Sequence, residues 1–153
     1  MSYDLLIGID PCKNTGVAVR DKRIKTGCDY THVFTTDFFG LQEFLEGISP
    51  DLKVLIYLEV TDLKVVFKGK QQGRSKGADN ATAINVGSCL REMALLKGQI
   101  EYIAKRDKKD FTLRTIYDAE LVGKSSAFVK MATGYSGKLN NHECDAMMFI
   151  AGL

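Results

Sequence analysis

Four residues carry the chemistry open to this chain, and each stands where a buried element ends or begins. Asp10 closes the aliphatic run Leu5-Leu6-Ile7-Gly8-Ile9, and Glu59 closes Val54-Leu55-Ile56-Tyr57-Leu58. His142 and Asp145 lie three apart in His142-Glu143-Cys144-Asp145-Ala146. A carboxylate at the end of an apolar run is costly to desolvate unless a cation meets it. Carboxylates brought close together also raise one another's pKa. A divalent cation relieves both, so the pattern predicts an acidic metal site assembled by the fold from distant segments.

On a helix, His142 and Asp145 share a face at i, i+3 and can address one ion. Carboxylate and imidazole donors with no cysteine-rich motif favour Mg²⁺ or Mn²⁺ over structural zinc. Cys144 is excluded as a ligand, because on a helix it points about 100° away from Asp145. A pair of such ions suits in-line attack on a phosphodiester, one activating water and the other stabilising the leaving oxygen. One carboxylate must then bridge both, and Asp10, at the expected sheet centre, is the candidate.

A second feature lies beside Glu59. Between Lys64 and Ala78 the chain carries Lys64, Lys68, Lys70, Arg74 and Lys76, three glycines and no acid. Such a run is either a solvated loop or a phosphate-tracking arm for a polyanionic substrate. Phe67 within it either stacks on a base or packs under the loop.

The elements that position these residues alternate. Asp4–Ile9 reads as a buried strand, and Pro11–Gly16 as turn chemistry, with Asn14-Thr15-Gly16 making the tight connection. Val17–Val19 returns as the second strand, and Tyr30–Thr36 is a β-branched and aromatic third. Asp37 caps a helix with Phe38, Leu41, Phe44 and Leu45 at helical spacing. Lys53–Val60 is the fourth strand. A helix is predicted over Ala81–Lys97, with Ala83, Val86, Gly87, Leu90, Met93 and Ala94 along one face. Its small residues Gly87 and Ser88 imply close approach by another backbone, either the domain's own sheet or a second subunit. A fifth strand is expected near Gln99–Ala104, and Phe111–Ile116 receives no assignment. Gly123–Met131 reads as a helix, Gly134–Asn141 as a loop, and Asn140 or Asn141 caps a last helix. Strands interleaved with helices give a mixed α/β sheet.

With 153 residues, the chain fits one domain over 1–153. Apolar content of 45% and charged content of 26% are those of a soluble globular protein. No apolar run approaches the roughly 18 residues of a membrane span, and Leu5–Ile9 reads as a strand, not a signal peptide. Cys12, Cys28, Cys89 and Cys144 form no C-x-x-C pair, which argues for reduced thiols in a cytoplasmic protein.

Taken together, Ile7-Gly8-Ile9-Asp10-Pro11 with Thr15-Gly16, Glu59 closing a strand, Asn80-x-x-Ala83 with Gly87, and His142-x-x-Asp145-Ala146 resemble RuvC-type Holliday junction resolvases of the RNase H-like superfamily. The resemblance runs in order over nearly the whole chain. It implies an RNase H-like central five-stranded mixed sheet flanked by helices, a homodimer, and Mg²⁺-dependent paired nicking of four-way DNA. Catalytic roles would fall on Asp10, Glu59, His142 and Asp145, with two ions per subunit. Lys124 matches the family lysine that opens the penultimate helix and contacts the scissile region. Phe67, Lys68 and Lys70 would lie in the loop that engages the junction centre.

The sequence also departs from the family. Cys12 replaces the glycine common after Asp-Pro, the segment after Glu59 is long and basic, and Lys105–Val122 lacks the usual proline-and-lysine pattern. These departures point toward a phage or mobile-element form acting in a bacterial or phage-infected cell. Three rival readings stand beside this one. Actin-like or sugar-kinase ATPases also open with strand-Asp-turn-strand, but need two such domains. An RNase H-like nuclease for other branched DNA or for RNA would keep the same metal site. A catalytically silent junction-binding protein would have no use for four intact candidate ligands.

Overall fold

The computed structural model describes residues 2–11, 14–25, 27–60, 76–116 and 121–153, with 76–86 and 89 as backbone alone. In chain order the elements are β1 (Leu5–Asp10), β2 (Thr15–Asp21), β3 (Tyr30–Thr36), α1 (Phe38–Gly47), β4 (Lys53–Glu59), α2 (Lys76–Arg106), β5 (Asp110–Ile116), α3 (Ser126–Thr133) and α4 (Asn141–Met148). The strands form one five-stranded sheet in the order β3-β2-β1-β4-β5. β1 pairs antiparallel with β2 and parallel with β4; β2–β3 is antiparallel and β4–β5 parallel. The sheet is therefore mixed, as the alternation of elements predicted.

β1 is central, and all six of its residues are buried. A strand covered on both faces reads as a continuous apolar run, which is why Leu5–Ile9 lacks polar alternation. Successive side chains still point to opposite faces. Leu5, Ile7 and Ile9 join Val54, Ile56 and Leu58 beneath Leu41 and Leu45 of α1 and Leu96, Ile100 and Ile103 of α2. Leu6 and Leu55 point the other way, toward Cys144, Ala146, Met147 and Ile150 around α4. Asp10 and Glu59 share the parity of Leu6 and Leu55, so both acids belong to the α4 face.

Two assignments are corrected. The expected strand at Gln99–Ala104 is the C-terminal part of α2, which runs on to Arg106. Met93, Leu96, Gln99, Ile100 and Ile103 are all buried, a 3.6-residue stripe over too long a span for a strand. The fifth strand is instead β5, the segment left unassigned. It carries the β-branched Thr112, Thr115 and Ile116, and none of its residues is fully buried, because β5 lies at the sheet edge. On α2, Ala94 is exposed, and so are Gly87 and Ser88. A Cβ at Gly87 would meet nothing within 4 Å among the described residues. These small residues do not pack on the domain's own sheet.

Candidate active site

Two glycines explain how α4 reaches the sheet. A Cβ at Gly8 would collide with the carbonyl oxygen of Ala146, and one at Gly16 with the carbonyl of His142. Both glycines lie inside strands, and neither is among the residues with positive φ. Gly16 thus corrects the turn reading: it pairs with Asp10 in the β1–β2 ladder and is small so that a helix backbone can lie on it. This close approach sets the His142–Ala146 turn directly over the end of β1.

The start of α4 is fastened as well as seated. Asn140 is the N-cap; its side chain accepts the Glu143 N–H at 2.9 Å, and the Glu143 carboxylate accepts the Asn140 N–H at 2.9 Å. This reciprocal capping box stabilises by about 1 kcal/mol. Thr35 of β3 joins it, donating to Glu143 Oε1 at 3.1 Å and accepting from Asn140 Nδ2 at 2.6 Å. Glu143 is therefore a capping residue, although it lies between the two candidate ligands.

On this frame the four predicted residues converge. Asp10 is only 7% exposed, and its Oδ2 lies 2.7 Å from His142 Nδ1. Glu59 hydrogen-bonds to Asp10, and its carboxyl is pushed up to about 8 by burial first, then by Asp10, with Asp145 adding to the effect. Burial also raises the Asp145 pKa. The Gly123 N–H, donating to Oδ1 at 2.7 Å, opposes the rise, Asp10 adds to it, and His142 opposes it. Burial and neighbouring acids thus raise the carboxyls of Glu59 and Asp145, the kind of perturbation that clusters at functional sites.

The donor set, hard oxygens plus one imidazole, fits a hard divalent ion. Among the described residues, no three His, Cys, Asp or Glu side chains already surround a common point.

The remaining predicted residues fall elsewhere. Lys124 directly follows Gly123, but its Nζ lies over the Phe128 ring, 5.9 Å from the centroid. The helix it was expected to open begins at Ser126, capped by Ser125, which accepts the Phe128 N–H at 3.3 Å. Lys64, Phe67, Lys68, Lys70 and Arg74 lie outside the described residues, and Lys76 opens α2 in backbone only. Cys144 is 1% exposed and faces the core, in line with its exclusion as a ligand. Burial pushes its thiol up.

Sequence reasoning missed Thr35, Gly123 and the capping role of Glu143. The Asn140-x-x-Glu143 spacing was a usable signal for the cap. Nothing local marks Thr35 or Gly123, whose roles depend on partners 105 and 22 residues away.

No protein-family model matches this chain, and no curated protein matches it by sequence. Solved structures do. Thermus thermophilus RuvC in complex with a Holliday junction substrate superposes with a TM-score of 0.54 at 13% identity, covering 97% of this chain and 91% of that one. A second structure of Thermus thermophilus RuvC gives 0.53 at 11% identity, covering 96% and 90%. The chain thus has the RuvC-like, RNase H-like α/β fold, with its five-stranded mixed sheet and flanking helices.

Proposed function

We propose that this protein is a metal-dependent endonuclease that resolves four-way DNA junctions by paired nicking. One observation carries the reading: Asp10, Glu59 and Asp145, with His142, meet at the ends of β1 and β4 beneath α4. The likeness of the whole fold to RuvC, including a structure bound to a Holliday junction, supports four-way DNA as the substrate.

Asp10, Glu59, His142 and Asp145 are the residues that would hold Mg²⁺ or Mn²⁺, two ions per subunit. Such ions polarise a phosphodiester and make a bound water acidic enough to attack near neutral pH. The chain's own contribution is positional. Gly8 and Gly16 seat α4, the Asn140–Glu143–Thr35 clamp holds its first turn, and the Gly123 N–H orients Asp145. Lys124, adjacent to Gly123, would reach the scissile region, and the basic 64–76 segment would carry junction phosphates through Lys64, Lys68, Lys70, Arg74 and Lys76. Paired nicking needs two active sites, so we place the protein as a homodimer, through the α2 surface bearing Gly87 and Ser88.

The test compares cleavage of a four-way junction, a plain duplex and an RNA–DNA hybrid in Mg²⁺ or Mn²⁺. Symmetric nicking of the junction is expected, with Asp10→Asn slower by at least about 100-fold while still binding DNA. A normal rate in that variant means the site is misassigned. Preference for the hybrid, or for another branched substrate, selects the alternative nuclease reading. Tight junction binding with no cleavage selects the silent binding protein.

A further inference from the structure

α4 packs on β1, β2 and β3, and beside it a cleft of about 670 Å³ opens over the face of β1 and β4. Leu6, Leu55 and Tyr57 lie along it, Lys22 and Lys25 enter from the β2–β3 turn, and Arg114 enters from β5. Strand geometry fixes its relation to the carboxylates. Tyr57 precedes Glu59 by two residues on the same face, about 7 Å away, and Leu55 lies about 13 Å away. The cleft thus comes nearest the candidate active site at Tyr57, and extends from there toward the N-terminal ends of β1 and β4.

Its charge is unbalanced. Arg23 is held by Asp21 at 2.6 Å, and the lining carboxylate Asp4 accepts the Lys53 N–H at 2.9 Å. Lys22 Nζ donates to Leu153 O at 2.7 Å. Lys25 and Arg114 rest on uncharged oxygens, Lys25 Nζ donating to the Lys22 carbonyl at 3.0 Å and Arg114 to the Tyr57 hydroxyl at 3.3 Å. Lys25 and Arg114 are exposed. Lys25 and Arg114, two exposed cations on an open cleft, offer positive charge that a polyanion would neutralise, against one lining carboxylate side chain, Asp4. Tyr57 and Tyr3 on its wall offer flat surfaces suited to sugar or base.

We propose that this cleft binds the nucleic-acid strand leading away from the carboxylate cluster, with Lys25 and Arg114 on its phosphates. The proposal rests on the nuclease reading for which strand is held, not for whether nucleic acid binds.

The test is binding of a labelled four-way junction in EDTA, so that nothing is cut, at several salt concentrations. Each lost phosphate contact lowers the log–log salt slope by roughly 0.7–0.9. Lys25→Gln with Arg114→Gln should therefore flatten it by roughly 1.5 and weaken binding about 10-fold near 0.1 M salt. The control, Lys97→Gln with Lys105→Gln, removes the same charge from the exposed side of α2 and should change neither. An unchanged slope in the first pair overturns the proposal, and so does an equal loss in the control. Lys25→Gln alone, in an exposed turn, keeps the comparison valid if Arg114→Gln impairs folding. Cleavage by the native protein is assayed separately. Its failure would count against the nuclease reading while leaving the binding result to stand.

Discussion

Glu59 shows how a single residue reports on the whole cluster. Its ordinary pKa is 4.5, and in the folded protein burial and the neighbouring acids raise it to about 8. Between those values the native state holds a proton that the unfolded chain releases. Stability without metal therefore falls as pH rises from about 4.5 to about 8, and levels off above. Asp145 shifts in the same direction and adds to the fall. In EDTA the melting temperature should decline across this window, and Glu59→Gln should remove most of the decline. Mg²⁺ or Mn²⁺ at neutral pH should raise the melting temperature of the native protein, and much less that of Glu59→Gln. A pH-independent melting curve for the native protein would show that Glu59 titrates normally.

At the level of elements, the position of α4 is decided by backbone contact more than by capping. The cap contributes about 1 kcal/mol, whereas each buried aliphatic under α4 contributes roughly 2 kcal/mol, and that burial requires the helix to lie on Gly8 and Gly16. Gly8→Ala should therefore cost about 3 kcal/mol through overpacking, and cleavage should fall with it, because His142 and Asp145 move together. Gly98→Ala is the contrast. Among the described residues nothing lies within 4 Å of its Cβ position on exposed α2, so it should gain up to about 1 kcal/mol from helix propensity. Denaturant melts of the two variants measure both. If Gly8→Ala is neutral, α4 does not depend on this contact.

For the whole molecule, the outstanding proposal is assembly. α2 presents Gly87 and Ser88 to solvent, along with Leu95 at 51% exposure. Near the start of α1, Phe39 is 71% exposed and shares with Leu95 a groove of about 340 Å³. Apolar residues left open in this way are available to a second copy. Sedimentation at micromolar concentration without DNA should give a dimer, and Leu95→Glu should shift it to monomer. A monomer for the native protein under those conditions would count against paired nicking by a preformed dimer. Among the described residues, no helix is long and apolar enough to cross a membrane.

The amino-acid sequence by itself determined the first four strands, three of the helices in outline and the candidate ligands. Aliphatic runs ending in Asp10 and Glu59 mark buried strands by local hydrophobicity, and the three-residue spacing of His142 and Asp145 is a property of any helix. Parity along β1 and β4 also places both acids on one face once the strands pair. Only the tertiary structure decided the rest, because the forces concerned act between distant segments. Gly16 looked like a turn residue, since the helix that needs its small size arrives 126 residues later. Gln99–Ala104 looked like a strand, since its aliphatics fit a short apolar run until the α2 stripe from Met93 to Ile103 is seen against the sheet. The elevated pKa of Glu59 was foreseeable only in kind. Its size depends on how far burial strips water from three carboxyls at once, and that is set by the packing of α4.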